Sequence, residues 1–277
     1  MSGQPLVKVS DGDLALVTGS WSLDKHDYIH RLADIFSTGM KNRFRYRCFI
    51  DLFAGPGRCA IEGTATELPG SPLQAINIRD RFTHYLFNDI NPDCIAALRR
   101  RVSHLDVIPE PQYFINDCNS VVPELRAALP PASDSLELAV IDAWGWEMNF
   151  DALASLTQGR RMDVIVTFPI GFIKRNWRRQ LDKLDRFLGG DGYKEAFLDA
   201  MQQDSRKASR ILLDYYEERL NDIGYAYPND EVWIPNTRQV KLYHLVFASK
   251  HIRGNEFWAK ITRRSPSGQY KLQLTPL

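Results

Sequence analysis

Four aspartates carry the chemistry that can be read from this chain. Asp51, Asp89, Asp117 and Asp142 each close an apolar run, and the first stands just before the glycine turn of "IDLFAGPGRC" over residues 50–59. A carboxylate at the end of a buried strand can accept hydrogen bonds from ribose hydroxyls, an exocyclic amine or a reacting N–H. Gly55 and Gly57 let the backbone approach a ligand closely and tolerate positive φ. Asp and Asn also simply end strands and start turns, so any one of the four has a bland explanation. The series of four is harder to dismiss. In an open parallel sheet ligands bind at the carboxyl ends of the strands, near the point where strand order reverses.

The elements that must hold these residues alternate. "CFIDLFA", "HYLFND", "QYFIN", "SLELAVIDAW" and "MDVIVTFP" read as five strands, and apolar helical segments lie between them. That order predicts βαβ units and a parallel sheet. Ser71-Pro72 and Asn91-Pro92 have the cap-then-proline order of helix starts. A further helix is expected at 150–157. Residues 1–20 read as a loop-rich arm containing Gly3 and Gly12. Ser22 is the expected cap of a helix over 23–37. Residues 172–223 read as a helical insert broken at Gly189-Gly190-Asp191-Gly192, and "EVWIP" with "KLYHLVFAS" as a terminal antiparallel hairpin before a short helix. The domain reading is an arm and helix over 1–47, then an α/β domain over 48–277.

Composition narrows the classes. The 277 residues are 44% hydrophobic and 25% charged with a net charge of +1, so any affinity for nucleic acid must rest on local patches. Cys48, Cys59, Cys94 and Cys118 are scattered and form no C-x-x-C pair, which favours a reducing compartment. With no apolar run near the ~20 residues of a membrane span and no signal-like start, a cytoplasmic protein is expected. "GPGRCAIEG" lacks the Gly-Lys-Ser/Thr ending of a P-loop. Asp89 follows Asp51 by 38 positions, against ~20 between fingerprint and acid in a dinucleotide fold.

The order "DLFAGPG", "FNDINP", "NDCN", "IDAWG" resembles the motif series of class I S-adenosylmethionine-dependent methyltransferases. The resemblance implies a Rossmann-like, mostly parallel seven-stranded sheet. It also implies that the Asp51–Gly57 turn, Phe53, Ala54, Gly55 and Gly57 included, holds the methionine and ribose of S-adenosylmethionine. Asp89 would bind the ribose hydroxyls and Asp117 would lie near the adenine. With "WSLDKHDYIHRL", "GSPLQAI" and "LYHLVFASKHIRGNEFW", the chain looks like the three-Cys-motif partner protein family, methyltransferase-like proteins named for a separate partner protein. Members of that family usually have Asp-Pro-Phe-Gly where this chain has Asp142-Ala143-Trp144-Gly145. In amino-methylating enzymes the related loop accepts from the target amine and stacks its base, roles open here to Asp142 and Trp144. No Pro-Cys pair occurs, which disfavours cysteine-dependent C5 methylation.

Two basic segments bear on the acceptor. "KNRFRYRCF" alternates Lys41, Arg43, Arg45 and Arg47 with Phe44 and Tyr46, either a nucleic-acid contact or a solvated edge. Lys174, Arg175, Arg178 and Arg179, with Trp177 among them, follow the fifth strand on the expected ligand face and offer phosphate contact and base stacking. An ordinary helix with i,i+4 ion pairs explains them too. His26 and His30 stand four apart but lack the Glu of H-E-x-x-H and a third ligand, so no metal is expected. Either a nucleic-acid methyltransferase or a non-catalytic partner of the same fold fits this sequence.

Overall fold

A computed structural model of the chain describes residues 5–225, 232–235, 241–266 and 268. Gly3 of the expected arm and Glu231 of the expected hairpin lie outside the described residues. The strands are β1 (Leu6–Lys8), β2 (Leu14–Thr18), β3 (Tyr46–Asp51), β4 (Arg58–Ile61), β5 (Glu67–Pro69), β6 (His84–Asn88), β7 (Gln112–Phe114), β8 (Ser135–Ile141), β9 (Met162–Phe168), β10 (Val232–Pro235) and β11 (Lys241–Ala248). The helices are α1 (Ser22–Met40), α2 (Ser71–Ile76), α3 (Pro92–Val102), α4 (Val122–Ala128), α5 (Phe150–Thr157), α6 (Ile170–Asn176), α7 (Leu181–Leu188), α8 (Lys194–Gln203), α9 (Ser205–Asp222) and α10 (Ile252–Thr262), with a 3₁₀ turn at Trp177–Arg179.

Among the described residues the larger sheet has seven strands in the order β10-β11-β9-β8-β3-β6-β7. β11 alone runs against its neighbours, paired antiparallel to both β9 and β10. Strand alternation divides the interior into two layers. Cys48, Ile50, Ala139, Ile141, Val164 and Val166 face α4, α5 and the helices α6–α9. Phe49, Phe87, Leu138, Val140, Ile165 and Phe247 face α1, α2, α3 and α10. The 172–223 segment therefore covers one face of the sheet, with Trp177, Phe187, Phe197 and Tyr216 buried there. No helix among the described residues is long and apolar enough to cross a membrane.

Four expectations are corrected. The arm is not a loop: β1 and β2 join β4 and β5 in a second, four-stranded sheet. The long connection after the glycine turn supplies β4 and β5, and β4 pairs parallel to β2 (Leu16↔Cys59). Ser22 is the first residue of α1, with Trp21 at the cap position, and its hydroxyl donates to Gly19 O instead. The helix runs on to Met40 because Ser37, an apparent stop, sends its hydroxyl to Asp80 O. Gly70, not Ser71, occupies the cap of α2, which frees the Ser71 hydroxyl for the site. The Gly189 break is present, at φ 79°, and a second falls at Asp204, which caps α9 by accepting from Arg206 N. Asn91 caps α3 as expected.

Candidate ligand site at the switch point

Strand order reverses beside β3: β6 and β7 lie on one side of it, β8 and β9 on the other. A crevice at the carboxyl ends of β3 and β8 follows from that topology. β3 delivers Asp51 and the glycine turn to it, β6 delivers Asp89, and β8 delivers Asp142.

Asp51 is fully buried. It accepts from the Ser71 hydroxyl at 2.5 Å and from Phe53 N at 3.0 Å. Burial pushes its carboxyl up to about 7 in spite of those two donors, which favour the ionised form. Ala54 N donates to Asn88 O, and Gly55 N donates to Asp89 Oδ2 at 2.9 Å, so the turn is clasped to the end of β6. Asp89 Oδ1 accepts from Asn91 N at 2.9 Å. Each carboxylate oxygen keeps a lone pair for a further donor such as a ribose hydroxyl. Burial raises Asp89 as well.

The glycines serve packing as much as approach. At Gly55 (φ 57°) a Cβ would meet Leu16 Cδ1 at 2.8 Å, and at Gly57 (φ 84°) it would meet Leu98 Cδ1 at 2.7 Å. The turn is thus pressed between the small sheet and α3. Arg101 of α3 closes this joint, its guanidinium bidentate on Asp11 at 2.8 Å and donating to Leu14 O and Pro56 O.

Asp117 is engaged locally, accepting from Asn119 N at 2.9 Å, as an Asx turn does at the head of a helix. Asn119 in turn accepts from Asn149 N and donates to Glu147 O, which ties the loop after β8 to α4. Gly145 N donates to Glu147 Oε2 at 2.9 Å. Held in this way, the loop turns Trp146 into the core and leaves Trp144 43% exposed.

Asp142 has a partner that sequence reasoning did not assign. Lys25 Nζ lies 2.6 Å from its Oδ2 and 2.8 Å from its Oδ1. Burial works against both charges, yet each holds the other ionised: Asp142 falls below the ordinary carboxylate range and Lys25 rises above that of a free lysine. His26 beside them is pushed down to about 4, chiefly by burial and then by the Lys25 ammonium, and stays neutral. Its Nδ1 faces Pro69 O, and His30 Nδ1 faces Gln74 O. Among the described residues no cluster of three or more His, Cys, Asp or Glu is spaced to hold a metal ion.

The α6 cations stand at this same end of the sheet. Arg175, Arg178 and Arg179 are exposed and Lys174 is half-buried. Burial raises the Tyr243 hydroxyl, with Lys25 and then Arg175 pulling against it, and Lys25 lies 6.0 Å from its ring, so the basic rim borders the Asp142 pair. Trp177 is turned inward, edge-on to Phe197, and is not presented for stacking on a base. The physical reason is the apolar α6–α7 face, which buries the ring with the helical layer. The other basic segment does not form one strand face: 41–43 is a turn after α1, and Arg47 donates to Ser37, Lys41 O and Arg81 O at the opposite end of the sheet.

Two apolar residues were also missed. Ile90 follows Asp89 and is 69% exposed, and Ile115 follows β7 and is 54% exposed. β6 and β7 pair at Asn88↔Phe114, which sets these side chains on adjacent strand ends. An isoleucine left in water directly after a strand-end acid was the available signal.

A scan against protein-family models finds no match for the chain, and a search of curated proteins finds none either. Among solved structures it is similar to LPL1258 of Legionella pneumophila str. Philadelphia 1, a DUF519 protein, with 12% identity and a TM-score of 0.53 over 91% of this chain and 95% of that one. A second likeness is to an O-methyltransferase from Bacillus cereus in complex with SAH, with 9% identity and a TM-score of 0.46 over 82% of this chain and 80% of that one. The chain has an α/β fold with a mostly parallel seven-stranded sheet, a fold it shares with the DUF519 protein.

Proposed function

We propose that the protein binds S-adenosylmethionine at the β3–β8 crevice and methylates a nucleic acid base. The observation that carries this reading is the convergence, at the switch point of this fold, of the clasped Asp51–Gly57 turn, Asp89 and the Asp142–Trp144 loop. The residues suit that cofactor. Asp89 has lone pairs for the two ribose hydroxyls, Ile90 and Ile115 offer apolar walls for a planar base, and the end of β7 leads to Asp117.

When bound, the cofactor supplies an electrophilic methyl on a sulfonium. In-line transfer then depends on alignment of the acceptor. Trp144 is exposed where a flipped base would stack. Asp142, kept ionised by Lys25, accepts an N–H of the acceptor amine and orients the nitrogen lone pair toward the methyl group. Lys174, Arg175, Arg178 and Arg179 hold backbone phosphates without reading sequence. A three-Cys-motif protein, expected from the resemblance, would act as a partner that brings the substrate.

Calorimetric titration with S-adenosylhomocysteine tests the first step. Binding by the purified protein, abolished in Gly57→Arg and weakened at least about tenfold in Asp89→Ala, supports the site, and no binding by the wild type sinks it. Tritium transfer to DNA, RNA and protein fractions then identifies the acceptor.

A second reading rests on one observation. The Lys25 ammonium occupies both oxygens of Asp142, where the acceptor amine would bind, and the loop lacks the proline of the family pattern. A non-catalytic partner that recognises nucleic acid or protein would bind the cofactor, transfer nothing, and show no gain in any fraction.

A further inference from the structure

A second cavity lies at the other end of the sheet. It has a volume of about 840 Å³ and is bounded by the starts of β8 and β9, the end of β11, the start of α10 and the turn after α1. That volume is within the range of small-molecule sites. Six Arg or Lys line it against two Asp, in a chain whose net charge is only +1. Arg160 is used internally, paired to the buried Glu137 at 2.7 Å. Arg161 is engaged as well, donating to Ala132 O and Ser133 O. Arg43, Arg45 and Arg161 are exposed. Among the described residues Arg43 and Arg253 have no carboxylate partner. Lys250 donates to Thr157 O, and burial lowers its affinity for its proton.

The cavity is also aromatic. Phe44 lies under the Arg161 guanidinium at 5.8 Å, and Phe257 packs against Gly39 of α1. Its buried floor carries Asp163, 7% exposed, beside Ser249 and the first turn of α10. Burial pushes the Asp163 carboxyl up to about 7, so near neutral pH it can either donate or accept. The N-terminus of the eleven-residue α10 adds positive potential.

We propose that this cavity binds a mononucleotide-sized phosphorylated ligand. Its phosphate would lie among Arg43, Arg45 and Arg253, its planar base against Phe44 and Phe257, and a base amine or hydroxyl on Asp163. A nucleic acid strand needs a groove that tracks its backbone over several nucleotides, whereas these residues gather around a single space of about 840 Å³. The seven residues of β8 span roughly 20 Å at about 3.3 Å each, so the ligand is remote from Asp142 and receives no methyl group from that site. The proposal stands whether or not the methyltransferase reading does.

Titration calorimetry of the full chain with AMP, inorganic phosphate and a thirty-base single strand tests it, with S-adenosylhomocysteine as a reference for the other end. AMP should bind at least about tenfold more tightly than phosphate, and Arg43→Glu with Arg253→Glu should weaken it at least about tenfold. Phe44→Ala should erase the preference for AMP over phosphate. The same variants should melt as the wild type does and bind S-adenosylhomocysteine unchanged. Absence of AMP binding, equal affinity for AMP and phosphate, insensitivity to the charge reversals, or displacement of AMP by the strand at lower concentration than AMP itself needs would each overturn the assignment.

Discussion

Lys25 and Asp142 show how a single residue pair changes the reading of a site. Their side chains are only 14% and 12% exposed, so removing one leaves the other charged in a desolvated place. Lys25→Met is expected to cost about 3–5 kcal/mol, measured by urea unfolding at neutral pH, and a second change, Asp142→Leu, should recover much of it. Because the folded-state pKa of Asp142 is depressed, its stabilisation is present above the unfolded value near 3.9 and fades as pH falls through the folded value. The gap between wild type and Lys25→Met should therefore close in acid. Asp51 has the opposite sign. Its carboxyl is raised to about 7, so its contribution is complete below the unfolded value and is lost as pH rises through 7. Asp51→Asn keeps an oxygen for Phe53 N and is expected to be more stable than wild type at pH 8, by on the order of 2–4 kcal/mol, with no advantage at pH 3. Thermal melts at the two pH values check this.

At the scale of elements, the small sheet and α3 form one unit around the glycine turn. Arg101 is 8% exposed and ties Asp11, Leu14 O and Pro56 O together. Arg101→Ala should cost about 2–4 kcal/mol and speed amide exchange in β2 and β4 before it does so in β8 or β9. Its hydrogen bonds hold Asp11 down to about 2, so the joint is strong above the unfolded carboxylate range and loosens as pH falls toward 2. Unchanged exchange in β2 would refute the link. These short strands were hidden in the sequence because Leu6–Lys8 and Glu67–Pro69 are three residues each. Runs that short carry no period, and the sheet that gathers them depends on β2 pairing with β4 between segments remote in sequence (Leu16↔Cys59). By contrast β3, β8 and β9 were legible because strands buried on both faces are near-continuous apolar runs.

For the whole molecule, the strands carry the two candidate sites at opposite ends. S-adenosylhomocysteine and AMP should then stabilise independently, each by about 2.7 kcal/mol at a hundredfold excess over its Kd, and together by the sum. Calorimetric melts with one, the other and both ligands would show it; stabilisation well below the sum would mean that the two ends compete or couple. The helical layer α6–α9 is part of the same body. Trp177 read as a stacking residue from its basic neighbours, but its ring completes the core beside Phe197. The cations around it remained outside, because only the apolar member of "KRNWRR" gains from burial.

The sequence by itself determined the alternation of strands and helices, the position of the four aspartates at strand ends and the capping of α3, because each follows from a local pattern of apolar, proline and glycine residues. Only the tertiary structure decided which groups face those aspartates. Lys25 meets Asp142 across 117 positions, Ser71 meets Asp51, and Phe44 meets Arg161 at the foot of the sheet. Each of these contacts depends on packing that brings remote segments together, and no periodicity in a single chain records such a distance.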